Sequence, residues 1–135
     1  MTVRRSISAP DIPEHVNPIP AATVVGSMLF TSAIGGEDPD TLGLPDDKEA
    51  QIANVFKTMR AIMREAGGSV DNIGKVTVYV ADRDDRKLIN PHWLEMFPDE
   101  ESRPVRHTVA KSLPAGRFIQ VEFIAVLEDL LDSQI

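Results

Sequence analysis

Arg103-Pro-Val-Arg106-His-Thr-Val-Ala-Lys-Ser-Leu113-Pro114-Ala-Gly-Arg-Phe-Ile-Gln120-Val-Glu122-Phe-Ile-Ala125-Val reads as two strands joined by a Leu-Pro-x-Gly turn. Successive strand side chains point to opposite faces. In the second run Ile119, Val121, Phe123, Ala125 and Leu127 therefore share one face, which is entirely apolar and must be core. Phe118, Gln120, Glu122, Ile124 and Val126 share the other, so Gln120 and Glu122 point into a different space, where hydrogen-bonding side chains need a partner or a task. In the first run Arg106, Thr108 and Ala110 lie on the face opposite Val105, His107 and Val109.

The rest of the chain supplies what these strands pack against. Prolines 10, 13, 18 and 20 exclude a helix from the first twenty residues, leaving a short strand near Val3 to Ile7 and an extended arm. Thr23 to Ser32 reads as a hairpin about Gly26-Ser27, and residues 35 to 47, with two prolines and five carboxylates, as a loop. From Asp47 to Ala66, Ile52, Val55, Phe56, Met59, Ile62 and Met63 recur at helical spacing before Gly67-Gly68, a helix with a buried Phe/Met stripe. After a turn at Asp71-Asn-Ile, Gly74 to Ala81 alternates as a strand with Val76, Val78 and Val80 on one face. Asp84 to Phe97 is helical in composition, and Asn90-Pro91 has the form of an N-cap followed by proline at the first helical position, which predicts a helix broken or restarted there. Asp129 to Ile135 reads as a short helix or a frayed tail. Strands, helix, strand, helix, strands is the order of an α+β fold, with two helices packed on one face of a mixed or antiparallel sheet.

A chain of 135 residues with 42% apolar content fits a single domain spanning 1–135. It contains no uninterrupted apolar run of the roughly 18 to 20 residues that a membrane span requires, and no secretory signal pattern, so a cytoplasmic protein is expected. Without cysteine there is no disulfide, thiolate nucleophile or sulfur ligand. The net charge of −7 opposes binding to a phosphate backbone. His15, His92 and His107 lack the paired spacing of a metal site, and no metal is expected. Beside Arg106, His107 could give a subunit contact a pH response.

The order and spacing of several pieces resemble the reactive intermediate deaminases, also called YjgF/Rid or L-PSP proteins. The pieces are Met28 to Ser32, the helix from Ala50-Gln51 through Asn54 to Gly67, Asp71 to Val80 with Asp82, Ile89-Asn90 with Trp93 and Phe97, Pro104-Val-Arg106 with Leu113-Pro114, and Val121 to Ala125. The resemblance implies a chorismate-mutase-like fold assembled as a homotrimeric barrel with clefts between subunits. It also implies hydrolysis of enamines and imines of 2-amino acids to 2-keto acids and ammonia, without cofactor or metal. Residues at the Arg106, Ser32 and Asn90 positions would bind the substrate, Arg106 gripping its carboxylate, and Thr108 on the Arg106 face joins them. The planar fork of guanidinium donors suits a carboxylate.

The chain also departs from the family pattern. Gln120 stands where active members carry the water-handling glutamate, and a glutamine orients water without accepting its proton. Ile19 falls where an aromatic hydroxyl is common, Ala33 and Ile34 replace a glycine and a glutamine, and the segment between Arg106 and Leu113 is one residue short. The candidate catalytic set is Arg106, Gln120 and Glu122, the last on the same strand face as Gln120 and the nearest carboxylate. Plainer roles compete: an Arg106–Glu122 ion pair across neighbouring strands, an interface hydrogen bond for Gln120, a strand-end hydroxyl for Ser32, an N-cap for Asn90. A non-catalytic trimer binding small carboxylic acids is the alternative from another class. A ribonuclease or translation-inhibitor role ranks below both, given the charge and the absence of a catalytic histidine pair.

Overall fold

The computed structural model describes residues 3–127. The chain order is β1 (Arg4–Ile7), β2 (Ala22–Val25), β3 (Met28–Thr31), α1 (Lys48–Glu65), β4 (Ile73–Val80), α2 (Arg86–Met96), β5 (Val105–Ala110) and β6 (Ile119–Val126). The strands form one mixed sheet in the order β1-β2-β3-β6-β4-β5, antiparallel throughout except for the parallel pair β4 and β5, which α2 connects as a crossover. The tail beyond Leu127, including the helix expected there, lies outside the described residues.

Local chemistry accounts for these elements. Gly26 adopts a positive φ of 62°, which lets a two-residue turn close the β2–β3 hairpin. Asp47 caps α1 by accepting from the Ala50 N–H, and Ile52, Val55, Phe56, Met59, Ile62 and Met63 bury the helix's inner face against the sheet. The sheet answers with Val76, Val78 and Val80 of β4, Ile119, Val121, Phe123 and Ala125 of β6, and Leu29 of β3.

The second helix corrects the sequence reading. It runs unbroken from Arg86 to Met96 with Pro91 inside it, so Asn90 is not an N-cap. A 3-10 turn at Arg83–Asp85, held by the Asp82 carboxylate on the Asp84 N–H, starts the helix early. Pro91 then costs one internal hydrogen bond. The completely buried Ile89 and the edge-to-face pair of Trp93 and Phe97 hold the helix down on either side of it.

Register between strands fixes which side each polar residue takes. Arg106, Thr108 and Ala110 lie beside Val76, Val78 and Val80 in the parallel pair, and therefore on the face that carries the helices. Gln120 and Glu122 lie opposite Tyr79 and Thr77, on the open face. An Arg106–Glu122 ion pair is thereby excluded within one chain, because the sheet separates them.

Candidate functional site

Two half-sites emerge, one on the helix-covered face of the sheet and one at the gap between β3 and β6, where Gln120 of the open face and residues of α1 line the same space. The first is built on Arg106, at the sheet-edge strand β5 and beneath α2. Its guanidinium lies 4.9 Å from the centre of the Trp93 ring, and its Nη2 donates to the Asn90 side-chain oxygen at 2.8 Å. Asn90 and Trp93 sit three residues apart on α2, so one helical turn presents both the stacking surface and the acceptor. The other terminal nitrogen, Nη1, is buried without a hydrogen-bond partner. Burial alone pushes the Arg106 pKa down. None of the ion pairs among the described residues, which join Lys48 to Asp85, Arg64 to Asp11 and Glu65, and Arg117 to Glu37, includes Arg106. Thr108 lies two residues along on the same face, in a shallow depression with Arg83 and Arg86.

The second half-site is a cavity of about 340 Å³ that includes Ser32 and Gln120 in its lining. Its shape follows from a break in strand pairing. β3 pairs with β6 as far as Phe30, the Thr31 hydroxyl accepts from the Phe123 N–H at 2.9 Å, and the chain rejoins β6 only at the Ile34–Val121 bridge. Ser32 and Ala33 fall in this gap, and the Ser32 hydroxyl donates to the Ala21 carbonyl at 3.3 Å. The proline-rich arm contributes Pro13, His15 and Val16 to the rim.

Glu122 shares a strand face with Gln120 but occupies a separate recess with Phe30, Lys75 and Thr77. There its carboxylate accepts a 2.9 Å hydrogen bond from the Tyr79 hydroxyl. That bond, then burial and the adjacent negative charge, raise the Tyr79 pKa. Of the residues singled out from sequence, Arg106 and Asn90 come into contact, and Ser32 and Gln120 come together in the cavity. The two groups do not meet within one protomer. Arg117, Glu37 and Thr58 also line the cavity, and sequence reasoning passed over all three. His107 faces away from Arg106, on the open side of the sheet beside Thr77. His92 stacks on Phe56 at 5.5 Å. Among the described residues, no cluster of His, Asp or Glu is arranged to hold a metal ion.

Comparison with known proteins places these features in a wider group. The family model described as Endoribonuclease L-PSP matches residues 10–127. A RutC family protein of Aquifex aeolicus is 36% identical over 123 residues, covering 90% of this chain and 98% of its own. A 2-iminobutanoate/2-iminopropanoate deaminase of Salmonella typhimurium is 31% identical over 124 residues, covering 90% and 97%. Among solved structures, Escherichia coli TdcF with bound serine superposes with a TM-score of 0.83 at 30% identity, covering 92% of this chain and 99% of the other.

Proposed function

The chain belongs to the L-PSP endoribonuclease family of YjgF/Rid proteins, and we propose that it hydrolyses 2-imino acids, with their enamine tautomers, to 2-keto acids and ammonia at clefts completed between copies of itself. The observation that carries this reading is the state of Arg106. Its guanidinium is stacked, oriented, partly stripped of water and left with a buried donor that nothing accepts. An unsatisfied charged donor is costly, and a substrate carboxylate would satisfy it in bidentate geometry.

The chemistry then needs placement more than force. With the carboxylate on Arg106, the C=N carbon is presented to a water held by the Gln120 amide. Water adds as the protonated imine nitrogen takes up the C=N electron pair. Gln120 cannot accept the proton that water releases, so that proton passes to the substrate's own nitrogen, which must carry it to leave as ammonia. The carbinolamine collapses to the carbonyl. Glu122, already engaged by Tyr79 in a neighbouring recess, serves in this reading as a fixed negative charge beside the site.

Because Arg106 and Gln120 lie on opposite faces of one sheet, one protomer cannot apply both to one small molecule, and the reading requires a partner copy. Exposed Phe30, Val105 and Val126 on the open face, 39%, 66% and 50% accessible, support self-association there, as the homotrimer that the family resemblance implies. A cytoplasmic setting completes the proposal; among the described residues no helix is long and apolar enough to cross a membrane.

The test is a coupled assay in which an amino-acid oxidase or dehydratase releases imines and their disappearance is followed with and without the protein. Acceleration should vanish in Arg106→Ala while the sedimenting mass stays that of the wild type; undiminished acceleration would remove Arg106 from the mechanism. The glutamine at position 120 favours one second reading, a non-catalytic binder of small carboxylic acids. It predicts no acceleration, but Arg106-dependent binding of 2-keto acids.

A further inference from the structure

Three features of the Ser32–Gln120 cavity are unused by the hydrolysis of a small alkyl imine. The first is Thr58, on the inner face of α1. It is 2% exposed, it lines the cavity, and its hydroxyl has no hydrogen-bond partner. The second is the ion pair of Arg117 with Glu37, joined across 80 residues of chain in the same cavity. The third is Gly35, where a Cβ would overlap both Arg117 Nη1 and Glu37 Oε1. The bare backbone is what lets the pair lie against it.

The pair is also held from behind. Arg117 sits between Gly116, whose carbonyl accepts from Gln51 Nε2 at 2.7 Å, and Phe118, whose N–H donates to Gln51 Oε1 at 3.0 Å. Gln51 is completely buried. The guanidinium is thus carried on a fixed turn, which is how a binding site keeps its geometry.

The space offers free donors beside the carboxylates of Glu37 and Glu14. A guanidinium has five N–H donors, and the contact with Glu37 uses Nη1. The Thr58 hydroxyl adds one more donor with no acceptor. His15 Nδ1 is occupied by the Asn17 N–H at 3.1 Å. A matching ligand group therefore brings acceptor oxygen for these donors, and a carboxamide adds N–H groups for the carboxylates. It brings no negative charge, because Arg117 is the only cation in a lining that also holds Glu37, its ion-pair partner, and Glu14. Ile34 and Ile62 line the same cavity and suit a short aliphatic stem.

We propose that this cavity is the side-chain pocket of the deaminase and selects 2-imino acids whose side chain ends in an uncharged oxygen acceptor, the carboxamide class, with Thr58 and Arg117 as the selecting donors. The inference rests on the deaminase reading above. In the test, an amino-acid oxidase generates imines carrying a terminal carboxamide, a terminal carboxylate, or an alkyl chain of matched length, and kcat/KM is measured for each. Wild type should favour the carboxamide over both others by about fivefold to tenfold, the worth of one or two hydrogen bonds. Thr58→Val keeps shape and removes only the hydroxyl. It should lower the carboxamide value by about threefold to tenfold and leave the alkyl value within about twofold. Arg117→Met combined with Glu37→Leu removes the pair without orphaning either charge and should abolish the preference.

Equal rates on all three imines in wild type would overturn the pocket and leave the deaminase standing. Turnover of none would overturn the deaminase reading instead. The pocket is then judged by calorimetric binding of 2-keto acids with carboxamide or alkyl side chains. A carboxamide preference lost in Thr58→Val upholds the pocket, and no preference rejects it.

Discussion

Replacing Gln51 by leucine should destabilise the protein out of proportion to the size of the change. Gln51 is completely buried and makes three hydrogen bonds, donating to the Pro45 and Gly116 carbonyls at 2.8 and 2.7 Å and accepting from the Phe118 N–H at 3.0 Å. It is the tie between α1, the acidic loop and the turn leading into β6. Leucine fills nearly the same space but forms none of these bonds. Each is worth about 1 kcal/mol net, and each backbone group left unpaired away from water costs about 1–3 kcal/mol. Residues 45, 116 and 118 are not fully buried, so water recovers part of the loss, and about 3–5 kcal/mol remains. That is a large share of the roughly 5–15 kcal/mol that holds a domain together, and in a chain of this length it lowers Tm by about 10–20 °C.

Urea titration and thermal melting at one fixed protein concentration measure this, since self-assembly makes Tm depend on concentration. Gln51→Glu supplies the control. A glutamate keeps an acceptor for the Phe118 N–H but must hold a proton to donate to either carbonyl, so its folded-state pKa rises above the unfolded value. Its stability is then retained at low pH and lost as pH rises through that range, leaving it weaker at about pH 7 than at about pH 4. A loss below about 1 kcal/mol for Gln51→Leu would refute the reasoning, because it would mean that solvent replaces all three bonds without cost.

Two further outcomes follow from the site. Gln120→Glu supplies a group able to take the proton of the attacking water, and kcat on alkyl imines should rise by about tenfold or more in the coupled assay; no rise would place the water elsewhere in the cleft. Tyr79 is the single tyrosine, so phenolate absorbance reports it alone. Its midpoint should lie above the ordinary 10.0 and move down toward that value in Glu122→Gln, since the bond to Glu122 is the largest cause of the shift. A group whose folded pKa is raised contributes stability that is present below the unfolded pKa and lost as pH climbs through the folded one, so the Tyr79 contribution should disappear only in strongly alkaline solution.

What the sequence revealed, and what it hid, divides along physical lines. Period-2 alternation assigned every residue of β6 to its correct face, and helical spacing found the buried side of α1, because both patterns are local and tied to a core. Alternation gives the phase within a strand but not the phase between strands. An Arg106–Glu122 ion pair therefore remained possible until the parallel register of β4 and β5 set Arg106 beside Val76 and excluded it. Asn90-Pro91 misled for a similar reason: it is a local signal for a helix start, overruled by the turn at Arg83–Asp85 and the burial of Ile89. Thr58 and Gln51 look like ordinary helix residues in sequence. Arg117 and Glu37 are separated by 80 residues, and only the fold joins them.

The treatment of the two site arginines shows how the chain allocates charge. Arg117 is neutralised by Glu37, the usual solution for a guanidinium partly withdrawn from water. Arg106 is withdrawn far enough for one terminal nitrogen to be buried, yet its neighbours are an aromatic face and a neutral amide. This does not reflect a shortage of anions, since the chain holds 21 acidic residues against 14 basic ones. Asn90, the residue that accepts from Arg106, occupies a position where an aspartate could have closed an ion pair at the same length. Such a pair would stabilise the protomer and also block the fork of donors. Keeping the amide leaves Arg106 oriented but unneutralised, the state in which an arriving carboxylate gains most, and a stability argument alone gives no reason for it.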